Sequence, residues 1–314
     1  MTVAQLQENI TKLKQAKGAL ILAHNYQLPE VQQVADVVGD SLALARAAAE
    51  SSAELVIFCG VHFMAETAAV LCPGKRVLLP DPEAGCSLAD SITPEQLRAW
   101  RAQHPEAVVV AYINTSAAVK AESDWVCTSA NARAVIEAIP PERDILFVPD
   151  MFLGAWLQAQ TGRRLHLWMG ECHVHAAMRP QDIQAALAEH PQAEFLIHPE
   201  CGCMSATLYA CSTGELNGRR LAIASTDGML RYVRRSAAAE FVIGTEVGLL
   251  YRLQQENPGK RFYPLRPDAI CPYMKRITLE KVLRSLQQEV YHVTVPQEIA
   301  QRARKALQRM LQVG

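Results

Sequence analysis

Three stretches of the chain repeat one order of elements, and that order restricts the folds open to it more than any other feature. Each stretch opens on an apolar run that stops at a short polar cluster: LILAHNYQ (20–27), VVVAYINT (108–115) and EFLIHPEC (194–201). His24, Tyr112 and His198 open those clusters, spaced by 88 and 86 residues. A hydroxyl then begins a helical pattern: DSLALARAAAE from Asp40, TSANARAVIEA from Thr128 and STDGMLRYVRR from Ser225. A second apolar run follows (54–60, 144–150, 240–246), then a third that starts on basic residues (75–81, 163–170, 260–265). Each copy then reaches a loop with one cysteine, Cys86, Cys172 or Cys271, and closes on a linking helix pattern.

Apolar runs of five to seven residues alternating with amphipathic stretches of 10–15 predict βα units with parallel sheets buried on both faces. The expected fold is α/β: three small homologous three-layer units arranged around a pseudo-threefold axis. Units of roughly 90 residues bury surface poorly alone, which favours packing about a common centre. The expected boundaries are 1–84, with 272–314 packing back on it, then 85–170, then 171–271 with an insertion at 201–222. The polar clusters fall at the carboxyl ends of strands, the edge where open α/β sheets bind ligands. The cysteine loops follow the third apolar runs at the same edge.

The nine cysteines are odd in number, and the N-terminal segment has charges throughout and no apolar h-region. That combination disfavours a disulfide framework and favours metal binding or catalysis. A net charge of −1 gives no electrostatic footprint for nucleic acid or an anionic membrane surface. No run approaches the roughly 18 apolar residues of a spanning helix. The expectation is a soluble, cytoplasmic protein.

Three thiols converging from separate loops can hold zinc or an iron–sulfur cluster, either with one position left open for substrate. An isolated cysteine is ordinarily a small buried hydrophobe, and Cys59, Cys72 and Cys127 are read that way. Cys201, Cys203 and Cys211 lie in the segment that the other copies lack. They fit a surface or lid feature better than a second metal site. Ser41, Thr128, Ser129, Ser225 and Thr226 stand at helix starts, where a hydroxyl ordinarily caps and can also contact an anion. If the strand persists past His198, Glu200 two residues on falls on the same face, and it is a candidate general base. Tyr26 and Tyr112 are candidate proton donors. His24 and His198 are candidate substrate contacts, and His173 and His175 fit support of Cys172 better than ligation. The residues alone leave three classes open: a cluster-dependent enzyme, a zinc hydrolase or aldolase, and a non-enzymatic iron–sulfur redox sensor.

The motifs HNYQ, GDSLALA, GVHFMAETA, PDPEAGCSLAD, YINTSA, VCTSANA, HPEC, GTEVGLL and CPYMKRITL together resemble the quinolinate synthase family of bacterial NAD biosynthesis, from about residue 20 to 285. The resemblance implies one [4Fe–4S] cluster on Cys86, Cys172 and Cys271, with one open iron. It implies condensation of iminoaspartate with dihydroxyacetone phosphate to quinolinate, with loss of phosphate and water. His24, Ser41, Tyr112, Asn114, Ser129, His198, Glu200 and Thr226 would contact substrate, with Ile113, Pro199 and Ser225 in the same motifs. Glu200 and Tyr26, with Tyr112 and His198, would serve the proton transfers. An aspartate-oxidising enzyme would be a functional partner, because iminoaspartate hydrolyses readily. Two departures stand out. CPYMKR has one cysteine where some relatives have more, and Thr226 lies beyond the insertion.

Overall fold

The computed structural model describes residues 1–204, 207 and 221–313. It contains three four-stranded sheets, every pairing within them parallel. The first holds β1 (Ala19–His24), β2 (Val37–Gly39), β3 (Leu55–Cys59) and β4 (Arg76–Leu78). The second holds β5 (Val108–Tyr112), β6 (Trp125–Cys127), β7 (Ile145–Val148) and β8 (His166–Leu167). The third holds β9 (Glu194–Ile197), β10 (Leu221–Ile223), β11 (Glu240–Gly244) and β12 (Arg261–Pro264). Each sheet has the order second, first, third, fourth, so the strand that ends at His24, Tyr112 or next to His198 is central. Apolar side chains on both faces, such as Ile21, Leu22, Val109, Val110, Phe195 and Leu196, are fully buried, as helix-covered parallel sheets require.

Two details differ from the sequence reading. Each unit has four strands rather than three: VVG, WVC and LAI pair at one edge of the first strand. The cysteine loops therefore follow the fourth strands. In addition, β10 begins at Leu221, so the end of the 201–222 stretch is the third unit's own second strand.

The basic residue opening each fourth-strand run has a common task. Lys75 donates to the carbonyls of Ala48 (2.7 Å) and Ser51, and Lys260 to those of Val233 (2.5 Å) and Ser236 (2.6 Å). Arg163 does the same for Ile139 (2.9 Å) and Pro140 (3.1 Å). In every unit a cation thus satisfies carbonyls at the end of the helix that leads into the third strand, where the helix dipole favours positive charge.

Helix Leu279–Gln288 packs on helix Val3–Lys17 and β3, whereas helix Gln297–Gln312 packs on helices His62–Leu71 and Ala117–Ala121 and on β6. The last helix is thus shared by the first two units, and Asn131 fixes its end by donating to Met310 O (3.0 Å) and Val313 O (2.8 Å). Among the described residues no helix is long and apolar enough to cross a membrane.

Candidate active site and metal centre

Each of the three cysteines opens a single helical turn. The carbonyls of Cys86, Cys172 and Cys271 accept from the N–H four residues on, at Asp90 (3.0 Å), Ala176 (2.8 Å) and Lys275 (3.2 Å). Backbone N–H groups of Leu88 and Ala89 donate to the Cys86 sulfur, and those of Tyr273 and Met274 to the Cys271 sulfur. Donors arranged this way favour the thiolate, the ligating form.

The three loops touch one another. Ser87 Oγ lies 2.6 Å from His173 Nδ1, joining the first loop to the second. The His173 and Tyr273 rings meet edge to face at 5.9 Å, joining the second to the third. The Tyr273 ring stands beside Gly85, 3.8 Å from where a Cβ would be, closing the triangle. Cys86, Cys172 and Cys271 consequently line one cavity of about 730 Å³, mouth included, to which all three units contribute. Cys59, Cys72 and Cys127 are buried in the apolar core, as read from sequence.

Two histidines enter this cavity by the same device. His24 Nδ1 accepts from Tyr26 N (3.2 Å), and His198 Nδ1 accepts from Glu200 N (3.4 Å). Burial lowers His24 to about 3 and His198 to about 4, so both are neutral near pH 7. An Nδ1 that accepts leaves the proton on Nε2, making each ring a neutral N–H donor. His198 Nε2 lies 3.3 Å from Ser129 Oγ.

Glu200 is fully enclosed. The Tyr112 hydroxyl donates to its Oε1, and His175 Nδ1 lies 3.0 Å from its Oε2. Burial alone would raise its pKa; the charge of His175 and these hydrogen bonds outweigh it and bring Glu200 down to about 2. Burial raises Tyr112 and Tyr26 well above the ordinary phenol range, and Glu200 adds to both. The carboxylate is therefore ionised and the phenols protonated at neutral pH. Tyr26 Oη is 2.5 Å from Thr245 Oγ1, which is 2.9 Å from His175 Nε2.

Of the residues read from sequence, His24, Tyr26, Ser41, Tyr112, Asn114, Ser129, His198, Glu200 and Thr226 all line the cavity with the three cysteines. Ile113, Pro199 and Ser225 do not. Ile113 is core, and its N–H pairs with Cys127 O (2.8 Å). Ser225 caps helix Thr226–Arg235 by accepting from Gly228 N (3.2 Å). The Thr226 hydroxyl accepts from Asn25 Nδ2 (2.8 Å). In the second unit the helix starts later, at Ala132, so Ser129 sits in the turn before it.

Sequence reading passed over Asp40, His175 in its contact with Glu200, Glu246 and Lys275. Asp40 lines the cavity and caps helix Ser41–Glu50 through Leu42 N (3.1 Å) and Ala43 N (3.0 Å). Burial, with Asp227 nearby, raises it to about 6. Glu246 accepts from Cys271 N (3.0 Å) and pairs with Lys275 (2.8 Å), supporting the third cysteine loop from below. The strand–loop position of Glu246 matches Asp150 in the second unit, a signal available only once the repeats are aligned strand by strand.

Cys201 and Cys203 correct an expectation. They are buried and joined by a disulfide, with Cα atoms 5.2 Å apart. Their turn is local: Gly202 N donates to His175 O (3.0 Å), packing it against the helix that follows Cys172. The pair is therefore part of the site's support, not a surface feature. Cys211 lies outside the described residues.

Among the described residues Cys172 Sγ, His175 Nδ1 and a Glu200 oxygen lie within 4.8 Å of one another, a group able to hold a metal ion that shares only Cys172 with the three converging cysteines. His175 Nδ1 is 3.3 Å from that sulfur. Burial pushes the Cys86 thiol up to about 12 and raises Cys172 and Cys271 also. Thiols so enclosed become thiolates only beside a strong positive charge, which a metal supplies.

Residues 8–312 match the family model for the quinolinate synthetase A protein, NadA. A quinolinate synthase of Thermus thermophilus is 58% identical over 309 residues, covering 98% of this chain and 97% of that one. One from Pyrobaculum aerophilum is 54% identical (98% and 99% covered), and one from Mycobacterium tuberculosis is 50% identical (97% and 88%). A solved E-1-hydroxy-2-methyl-but-2-enyl-4-diphosphate reductase from Plasmodium falciparum aligns over 91% of this chain and 94% of its own at 9% identity, with a TM-score of 0.33 too low to bear weight. A match over nearly the full chain, at half or more of its residues, places this protein in the quinolinate synthase family, enzymes of NAD biosynthesis.

Proposed function

We propose that this cavity condenses iminoaspartate with dihydroxyacetone phosphate to quinolinate, releasing phosphate and water. Cys86, Cys172 and Cys271 would hold one [4Fe–4S] cluster with its fourth iron open. The observation that carries the reading is the meeting of three cysteine loops at one cavity that also holds an ionised buried carboxylate and two protonated phenols. When bound, such a cluster supplies a Lewis-acid iron for a substrate oxygen or nitrogen.

The protein groups divide the remaining work. The Nε2–H groups of His24 and His198 and the hydroxyls of Ser41, Ser129 and Thr226 receive carboxylate and phosphate oxygens. Neutral donors suit this task, because they hold an anion without competing for its proton. Glu200 accepts a proton from carbon or nitrogen, and Tyr112, already bonded to it, returns one to the leaving hydroxyl. Tyr26, tied through Thr245 to His175, serves the opposite side. Val61, Phe63 and Met64 give the cavity an apolar wall that excludes water. An aspartate-oxidising enzyme fits as supplier, and the cytoplasm as compartment, since the ligating thiols must stay reduced.

Anaerobic purification tests the reading. The expected protein is brown and contains about four iron and four sulfide per chain, and forms quinolinate from the two substrates. A colourless, air-stable protein with one zinc and no quinolinate would establish the zinc enzyme instead.

A further inference from the structure

Asn25 is fully buried at the junction of the first and third units, one residue past β1. The residues after His24, Tyr112 and His198 are Asn25, Ile113 and Pro199, so only the first unit has a side chain able to hydrogen-bond at this position. A buried amide is costly unless its polar atoms are paired, and those of Asn25 are. Its Oδ1 accepts from Arg252 Nη1 (2.8 Å), and its Nδ2 donates to Asp227 Oδ1 (2.9 Å) and Thr226 Oγ1 (2.8 Å). A guanidinium only donates, so the amide oxygen must face Arg252 and the nitrogen must face Thr226 and Asp227. Arg252 is itself fixed: it donates to Val38 O (2.7 Å) in β2 and to Glu256 Oε1 (2.8 Å) on its own helix Gly248–Glu256.

The consequence falls on Thr226, which is buried and lines the cavity. A hydroxyl has one proton to give and two lone pairs. Asn25 takes a lone pair, and among the described residues the Thr226 proton meets no acceptor. That proton is left to donate into the cavity. A mere stitch between the two units would not need this polarity, because Arg252 reaches Val38 O and, at 3.5 Å, Asp227 without Asn25.

We propose that Asn25, locked by Arg252, is a positioning residue: it turns the Thr226 O–H toward the cavity, and so makes that corner a donor for an anionic oxygen of the ligand. Asn25 does not line the cavity itself and acts through Thr226. The proposal rests on the functional reading above.

The test is a mutant cycle on anaerobic, cluster-loaded protein, read by calorimetric titration with quinolinate and separately with dihydroxyacetone phosphate. The exchange of Asn25→Asp with Asp227→Asn keeps the net charge but offers Thr226 only acceptors, so its proton turns away from the cavity. Thr226→Val removes the hydroxyl. Each change is expected to weaken the same one of the two ligands, or both, about tenfold, the worth of a hydrogen bond to a charged group. Combined, they should bind no more weakly than Thr226→Val alone. A structural role for Asn25 would instead weaken binding whether or not residue 226 carries a hydroxyl, and the combined loss would reach about a hundredfold; that result overturns the proposal. Wild-type affinity for both ligands in the exchange or in Thr226→Val overturns it too. If the exchange does not fold, Asn25→Asp alone takes its place, and wild-type affinity for both ligands there is equally fatal. Wild type that binds neither ligand would instead remove the functional reading, and this proposal with it.

Discussion

Ser87 Oγ and His173 Nδ1 lie 2.6 Å apart, and through that contact the first cysteine loop holds the second. Each partner directly follows a cysteine in sequence, so the contact sets the spacing of Cys86 and Cys172. With Tyr273 it forms a rim above the three thiols. The rim is what turns three loops, each more than 80 residues from the next, into one centre.

Serine at Cys86, Cys172 or Cys271 is expected to lower bound iron to near zero and abolish quinolinate formation in each case. Serine at Cys59 or Cys127, both enclosed in the core, should leave iron content unchanged and lower only thermal stability. Iron and sulfide assays on the five variants check this. Full iron retention in any of the first three would break the ligand set.

Glu200→Gln should keep the cluster and lose turnover by about 10²–10⁴-fold, the usual worth of a positioned acid–base group. Tyr112→Phe removes the hydroxyl that donates to Glu200 and should cost about tenfold or more in kcat without colour loss. Steady-state kinetics beside visible spectra separate chemistry from metal loss. An unchanged kcat in Glu200→Gln would remove that residue from the mechanism.

Asp40 gives a stability test with a defined sign. Its folded pKa, about 6, lies above the roughly 3.9 of an unfolded aspartate. Its favourable contribution is complete below about pH 4 and is lost as pH rises through about 6. Asp40→Asn keeps the N-cap and should melt like wild type at pH 4. At pH 7.5 it should be more stable by about 1–2 kcal/mol. A melting-temperature difference that stays flat across this range would refute the assignment.

Gly202→Ala places a Cβ 2.6 Å from Ala176 O and 3.1 Å from Met178 O, both backbone atoms. The expected cost is about 2 kcal/mol, together with displacement of the helix that carries His175. Reduced metal retention should accompany the lower melting temperature. A variant as stable as wild type, with full iron, would show that this turn yields freely.

Much of the site was legible because the repeat is regular. His24, Tyr112 and His198 end central strands or directly follow them, so aligning the three apolar runs already placed their clusters at one edge. The edge strands VVG, WVC and LAI were not legible, since three residues carry no periodicity to detect. Their absence from the reading also extended the insertion in the third unit over Leu221. His175 was set down as support for Cys172, a role its 3.3 Å contact fits. Its second contact, with Glu200, depends on packing between helix and loop that no spacing records. Asp40 read only as a residue before a helix, because its proximity to Asp227 is made by two units coming together. The disulfide between Cys201 and Cys203 ran against the sequence reading because a cysteine count speaks to a framework of several bridges and not to one pair two residues apart on a turn.

The three thiols are contributed at positions 86, 172 and 271, and the last of them stands on a loop propped by Glu246 and Lys275. During synthesis, a nascent chain that has released its first two units still lacks one corner of the proposed ligand set. On that set, loading with iron would wait until nearly the whole polypeptide has left the ribosome. The finished centre would then act as a keystone, locking together segments that no short stretch of sequence could have held in register.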